Sequence, residues 1–102
     1  MSREWVWIFT GDRTGICSGA FDNRAAAEDW ITSRGLSGLL LRIPLNCGIY
    51  DWACTQGKFE SKGLHHQTAD FIGNFSSAYL EHYHYENGRS RDRSEATEGY
   101  ET

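Results

Sequence analysis

Along this chain the spacing of apolar positions shifts between two and about 3.6 residues, which separates strands from helices before any other property is consulted. Trp5, Trp7 and Phe9 alternate with Val6 and Ile8 over residues 4–10, so an extended strand puts the three aromatics on one face and the two aliphatics on the other. A strand apolar on both faces belongs in the interior of a sheet. Gly11 to Gly15 supply turn chemistry, and residues 16–21, rich in small side chains and ending in Phe21, return as the second strand of a hairpin.

Asp22 or Asn23 can then cap a helix over residues 24–34, because a short polar side chain accepts a hydrogen bond from a free backbone N–H of the first turn. Ala27, Trp30 and Ile31 share one face of that helix, Arg24 and Glu28 sit four apart on the solvent side, and Gly35 suits the left-handed residue that ends it. Residues 36–43, nearly all apolar and bounded by Pro44, predict a strand covered on both faces and lying beside the first. Ile49, Trp52 and Ala53 fall at helical spacing up to Gly57, and Thr68 can cap a second short helix through Phe71, Ile72 and Phe75. Residues 78–86 alternate tyrosine with polar positions and read as the fourth strand, although Phe71, Phe75, Ala78 and His82 also fit a helical stripe.

The fold class expected is therefore α+β: an antiparallel or mixed sheet of about four strands (4–10, 16–21, 37–43 and 78–86), one main helix packed on a face, and two short helices. Residues 87–102 contain one aromatic and no Leu, Ile, Val or Phe, too little apolar surface to offset ordering entropy, and read as a disordered polar tail behind a single compact domain at 1–86.

Composition narrows the function classes. At 102 residues there is room for one core, and 39% apolar with 24% charged side chains is a globular balance. Nothing approaches the roughly 20 apolar residues of a membrane span, and Met1 is not followed by a signal-peptide core, so the expectation is a cytoplasmic protein without a membrane partner. A net charge of -4 argues against nucleic acid, whose phosphates call for an excess of Lys and Arg. Cys17, Cys47 and Cys54 are odd in number and lack paired metal or redox spacing, so they read as reduced thiols.

Candidate chemistry is concentrated in four histidines. On a strand His82 and His84 point to one side, about 6–7 Å apart, and a third ligand from His65, His66 or Asp51 would complete a zinc or other transition-metal site with an open position. The competing reading leaves all four as polar surface residues. If residues 76–86 were helical, Glu81 and His84 would instead have the spacing of carboxylate-bridged di-metal bundles, which need a second copy of that pair, absent here. Tyr79, Tyr83 and Tyr85 share the other strand face, with Tyr50 and Asp51 as further candidates, and aromatics with a polar tip suit either the core or a protein-binding surface. The glycines at 11 and 15 match no phosphate-binding pattern.

Several segments together resemble a small bacterial family catalogued as a domain of unknown function: residues 5–9 and 18–21, the helix around Trp30, Pro44 and Leu45, the Tyr50-Asp51-Trp52-Ala53 stretch, His65 and His66, and His82-Tyr83-His84-Tyr85-Glu86. The resemblance covers residues 4 to about 88 and implies one small compact domain with no assigned activity, cofactor or catalytic residue. The function expected is a small, non-enzymatic protein-binding module that needs no cofactor, monomeric or homodimeric, of the kind that serves as an immunity or accessory protein beside a bacterial toxin or defence gene. The alternative is a metal-binding or hydrolytic protein built on the histidines.

Overall fold

The computed structural model describes residues 4–91. Its elements run β1 (Trp5–Gly11), β2 (Cys17–Phe21), α1 (Arg24–Arg34), β3 (Gly38–Pro44), α2 (Ile49–Thr55), α3 (Ala69–Gly73), β4 (His82–Glu86) and β5 (Arg89–Ser90), with one 3-10 turn at Leu64–Gln67 ahead of α3. All five strands pair antiparallel in the order β2-β1-β3-β4-β5. The α+β expectation holds, with five strands instead of about four.

The fifth strand comes from the stretch assigned to the polar tail. Asn87 and Gly88 form a two-residue turn with φ of 53° and 83°, the left-handed pair that matches strand twist in a tight hairpin. Glu86 then pairs with Arg89 and Tyr85 with Ser90. Residues 92–102, the rest of the expected tail, lie outside the described residues.

The β4 boundary is also corrected. Residues 78–80 form a turn and Glu81 is irregular instead of strand, because Leu80 turns inward to become 2% exposed and its N–H bonds the Ser77 carbonyl at 3.3 Å. His82–Glu86 is strand, which removes the helical reading of Glu81 and His84.

Register explains the two apolar clusters. Phe9 opposes Leu40, which opposes Tyr83, and Gly38 opposes Tyr85, so these residues share a sheet face with Trp7. Ala27 and Ile31 of α1 are buried in one cluster with Trp7, Phe9, Leu40 and Tyr85. Helix α1 begins where expected, capped by Asn23, whose Oδ1 accepts from Ala26 N at 2.8 Å, and ends at Gly35 with φ 64°. The second cluster gathers Trp52, Ala53 and Leu80 with Leu41 and Ile43 from the opposite sheet face. Trp5 joins this second cluster. It lies at the first position of β1, and its ring meets Trp52 edge-on at 6.1 Å, so the row of Trp5, Trp7 and Phe9 divides between two cores. Leu39, Leu41 and Ile43 stay half-buried, so β3 is less completely covered than its apolar run implies.

Candidate functional site

Where β4 passes the first turns of α1, the sheet register and the helical period bring six polar or charged side chains into one line. Arg24 and Glu28 lie one helical turn apart, and Arg24 Nε donates to Glu28 Oε2 at 3.0 Å. The Tyr85 hydroxyl donates to the same oxygen at 2.6 Å. Arg24 Nη1 donates to the Tyr83 hydroxyl at 3.0 Å, and that hydroxyl donates to Glu81 Oε2 at 2.5 Å. Arg42 of β3 closes the far end, 3.8 Å from Glu81 Oε1.

Aromatic faces hold both guanidinium groups in place. Arg24 lies 3.7 Å from the centre of the Tyr83 ring and Arg42 lies 4.4 Å from that of Trp5, the arrangement in which a cation meets the negative face of the ring. Trp7 stacks against Tyr83 at 6.2 Å. Arg24, Glu28, Arg42 and Glu81 each keep roughly a third of their side-chain area in solvent (37%, 32%, 37% and 41%). The result is a fixed, half-exposed ridge whose charges alternate along its length.

The electrostatics favour holding charge over moving protons. Burial and the hydrogen bond to Glu28 push the Tyr85 hydroxyl well above the ordinary tyrosine range. Burial and the bond to Glu81 likewise raise Tyr83, with Arg24 opposing. Burial disfavours the Arg24 charge, but the hydrogen bond and charge of Glu28 outweigh it and raise Arg24 above its ordinary value. Both tyrosines therefore stay protonated at neutral pH and act as donors to the carboxylates.

The five tyrosine and aspartate positions singled out from sequence are distributed over four environments. Tyr83 and Tyr85 enter the ridge, Tyr85 with only 5% exposure, its ring in the core. Tyr79 precedes β4 and is 68% exposed, with Lys58 Nζ 5.0 Å from its ring centre. Tyr50 packs on Phe59, Phe71 and Phe75, and Asp51 is exposed in the first turn of α2, next to the positive end of the helix dipole. Arg24, Glu28, Arg42 and Glu81 were missed as site residues. The Arg24 and Glu28 spacing reads as an ordinary helix-surface pair, and only the pairing of Leu40 with Tyr83 shows that β4 reaches it.

The histidines form two pairs. His82 and His84 share a face of β4 with ring centroids 5.5 Å apart, as the strand period predicts, and His82 Nδ1 donates to the Leu80 carbonyl at 2.7 Å. His65 and His66 lie on the 3-10 turn with ring centroids 4.0 Å apart. Among the described residues no group of three or more His, Cys, Asp or Glu side chains is placed to hold a metal ion. Cys17, Cys47 and Cys54 are free thiols. Among the same residues no helix is long and apolar enough to cross a membrane.

A family model described as a domain of unknown function (DUF7710) matches residues 6–91. No curated protein and no solved structure matches the chain.

Proposed function

Because the chain belongs to this family of unknown function, we propose a role from its geometry: a small, non-enzymatic protein-recognition module that binds its partner across the ridge from Arg42 through Glu81, Tyr83 and Arg24 to Glu28. The observation that carries this reading is the fixation of half-exposed arginines on aromatic rings, Arg24 on Tyr83 and Arg42 on Trp5. Arg, Tyr and Trp dominate binding hot spots, and a side chain held in place before binding loses little entropy when the partner arrives. The alternation of Arg42, Glu81, Arg24 and Glu28 supports selectivity, since a partner whose charges are out of step meets like charge. A cytoplasmic immunity or accessory protein of a bacterial toxin is one module of this kind, and the signature of that form is protection of cells against a toxin encoded beside it.

The test is a tagged full-length chain used as bait in extract of its own source, with Arg42→Ala and Glu81→Ala as matched baits of equal melting temperature. A partner retained by the parent protein and weakened about 30-fold or more by either variant, corresponding to roughly 2 kcal/mol at a hot spot, supports the reading. Equal retention by all three baits moves recognition off the ridge.

A further inference from the structure

The loop between α2 and α3 is held down by an imidazole in a way that only one of its protonation states permits. His66 Nδ1 accepts a hydrogen bond from the backbone N–H of Lys62 at 2.8 Å. An acceptor nitrogen carries no proton, so His66 is the neutral tautomer with its hydrogen on Nε2. Its ring stacks on Phe71 of α3 at 4.7 Å and leans on Phe59 at 5.2 Å. Phe59 and Phe71 are in turn packed with Tyr50 and Phe75, at 5.9 Å between the Tyr50 and Phe59 centroids and 4.9 Å between those of Phe59 and Phe75. His66 thus joins the polypeptide at residue 62 to an aromatic cluster shared by α2, α3 and the segment between them.

We propose that this His66 contact is an acid-sensitive latch: protonation of the imidazole replaces the Nδ1 acceptor with a donor, breaks the bond from Lys62, and releases the 60–67 segment from the aromatic cluster.

The nearest titratable neighbours, His65 and Lys62, oppose the cation. On the same turn the His65 ring lies 4.0 Å away, centroid to centroid. From the preceding segment the charged neighbour is Lys62, itself paired with Glu60 at 3.7 Å. From α3 the contact is the neutral Phe71 ring, while Asp70 of that helix faces Asn74, whose Nδ2 lies 3.4 Å from Asp70 Oδ1. Desolvation, then repulsion from His65 and Lys62, hold His66 below the ordinary histidine value of 6.5. The sign follows: the released loop binds a proton more tightly than the latched one, so release grows as pH falls below 6.5, by up to about tenfold per pH unit until the latched form also protonates.

The experiment is a titration of the full-length protein by NMR, following the Lys62 amide and the His66 ring together. The expected result is one shared midpoint below 6.5, with loss of the His66 to Phe71 ring contact on the acid side. His66→Asn keeps an acceptor at nearly the position of Nδ1 without titrating, and its Lys62 amide should stay unshifted through the same range. His65→Gln removes one repulsive neighbour and should raise the His66 midpoint. A Lys62 amide that ignores the His66 titration overturns the proposal, as does an acid transition in His66→Asn identical to that of the parent protein. If His66→Asn fails to fold, the parent titration decides alone.

Discussion

The Tyr85 hydroxyl lies 2.6 Å from Glu28 Oε2, which ties β4 to α1 between residues far apart in the chain through one short, charge-assisted bond. The same carboxylate oxygen accepts from Arg24, so each partner steadies the other.

Tyr85→Phe therefore removes one donor and leaves Glu28 with Arg24, a milder loss than orphaning a buried charge. The expected destabilisation is about 1–2 kcal/mol, the range of a hydrogen bond to a partly exposed charged group. Urea unfolding of parent and variant at neutral pH measures it, and an unchanged midpoint would remove the bond from the account of stability.

The same pair sets a limit at high pH. A phenol whose folded-state pKa is raised contributes stability that is complete below the unfolded value of 10.0 and is lost as pH rises toward the folded value, because the unfolded chain gives up its proton first. Parent protein should lose stability above pH 10 more steeply than Tyr85→Phe, and Tyr83, raised in the same direction, should account for much of the dependence left in the variant.

Gly38 tests the register of the sheet. It opposes Gly11 on β1 and Tyr85 on β4, and a Cβ there would run into the Thr10 carbonyl oxygen and lie 2.8 Å from Phe9 Cζ. Backbone on one side and a fully buried ring on the other leave no cheap adjustment. Gly38→Ala should cost about 3 kcal/mol or more, in the range reserved for overpacked cores, and circular dichroism melting would show it as a large fall in Tm.

How far the sequence discloses this fold depends on whether the signal is local. The hairpin of β1 and β2, the Asn23 cap, Gly35 and the Thr68 cap are specified by neighbouring residues, and all are found. The start of β4 is not local: Leu80 sits inside an alternating tyrosine pattern, and its departure from the strand follows from packing in the cluster of Trp52 and Ala53. The ridge is less legible still. Tyr83 and Tyr85 announce themselves as aromatics with polar tips, but Arg42 is one charge inside an apolar run and Glu81 a polar residue just ahead of β4. Only the antiparallel pairing of β3 with β4 sets them side by side. The Asn87 and Gly88 turn was legible, being a strong hairpin signal after an alternating strand, but the polar composition beyond it masked the signal.

That turn carries the last prediction. Gly88 N donates to the Leu36 carbonyl at 2.8 Å, its own carbonyl accepts from Thr32 Oγ1 at 3.2 Å, and Asn87 N donates to Ser37 Oγ at 2.9 Å. The β4–β5 hairpin thus docks on the C-terminal end of α1 as well as closing on itself. A side chain at position 88 would meet two obstacles: a φ of +83° that L-residues rarely adopt, and a Cβ 3.0 Å from Gly35 Cα and 3.1 Å from the Thr32 carbonyl oxygen. Gly88→Ala should cost about 2–3 kcal/mol from the strained backbone and close contact combined, while Asn87→Gly, which keeps the left-handed turn at φ 53°, should change stability by less than about 1 kcal/mol. Hydrogen exchange gives the decisive readout. If the hairpin is built into the domain, Gly88→Ala will deprotect the amides of Gly88 and Arg91, which bond Leu36 O and His84 O, and loosen Leu36 with them. Unchanged protection at all three would make the fifth strand dispensable.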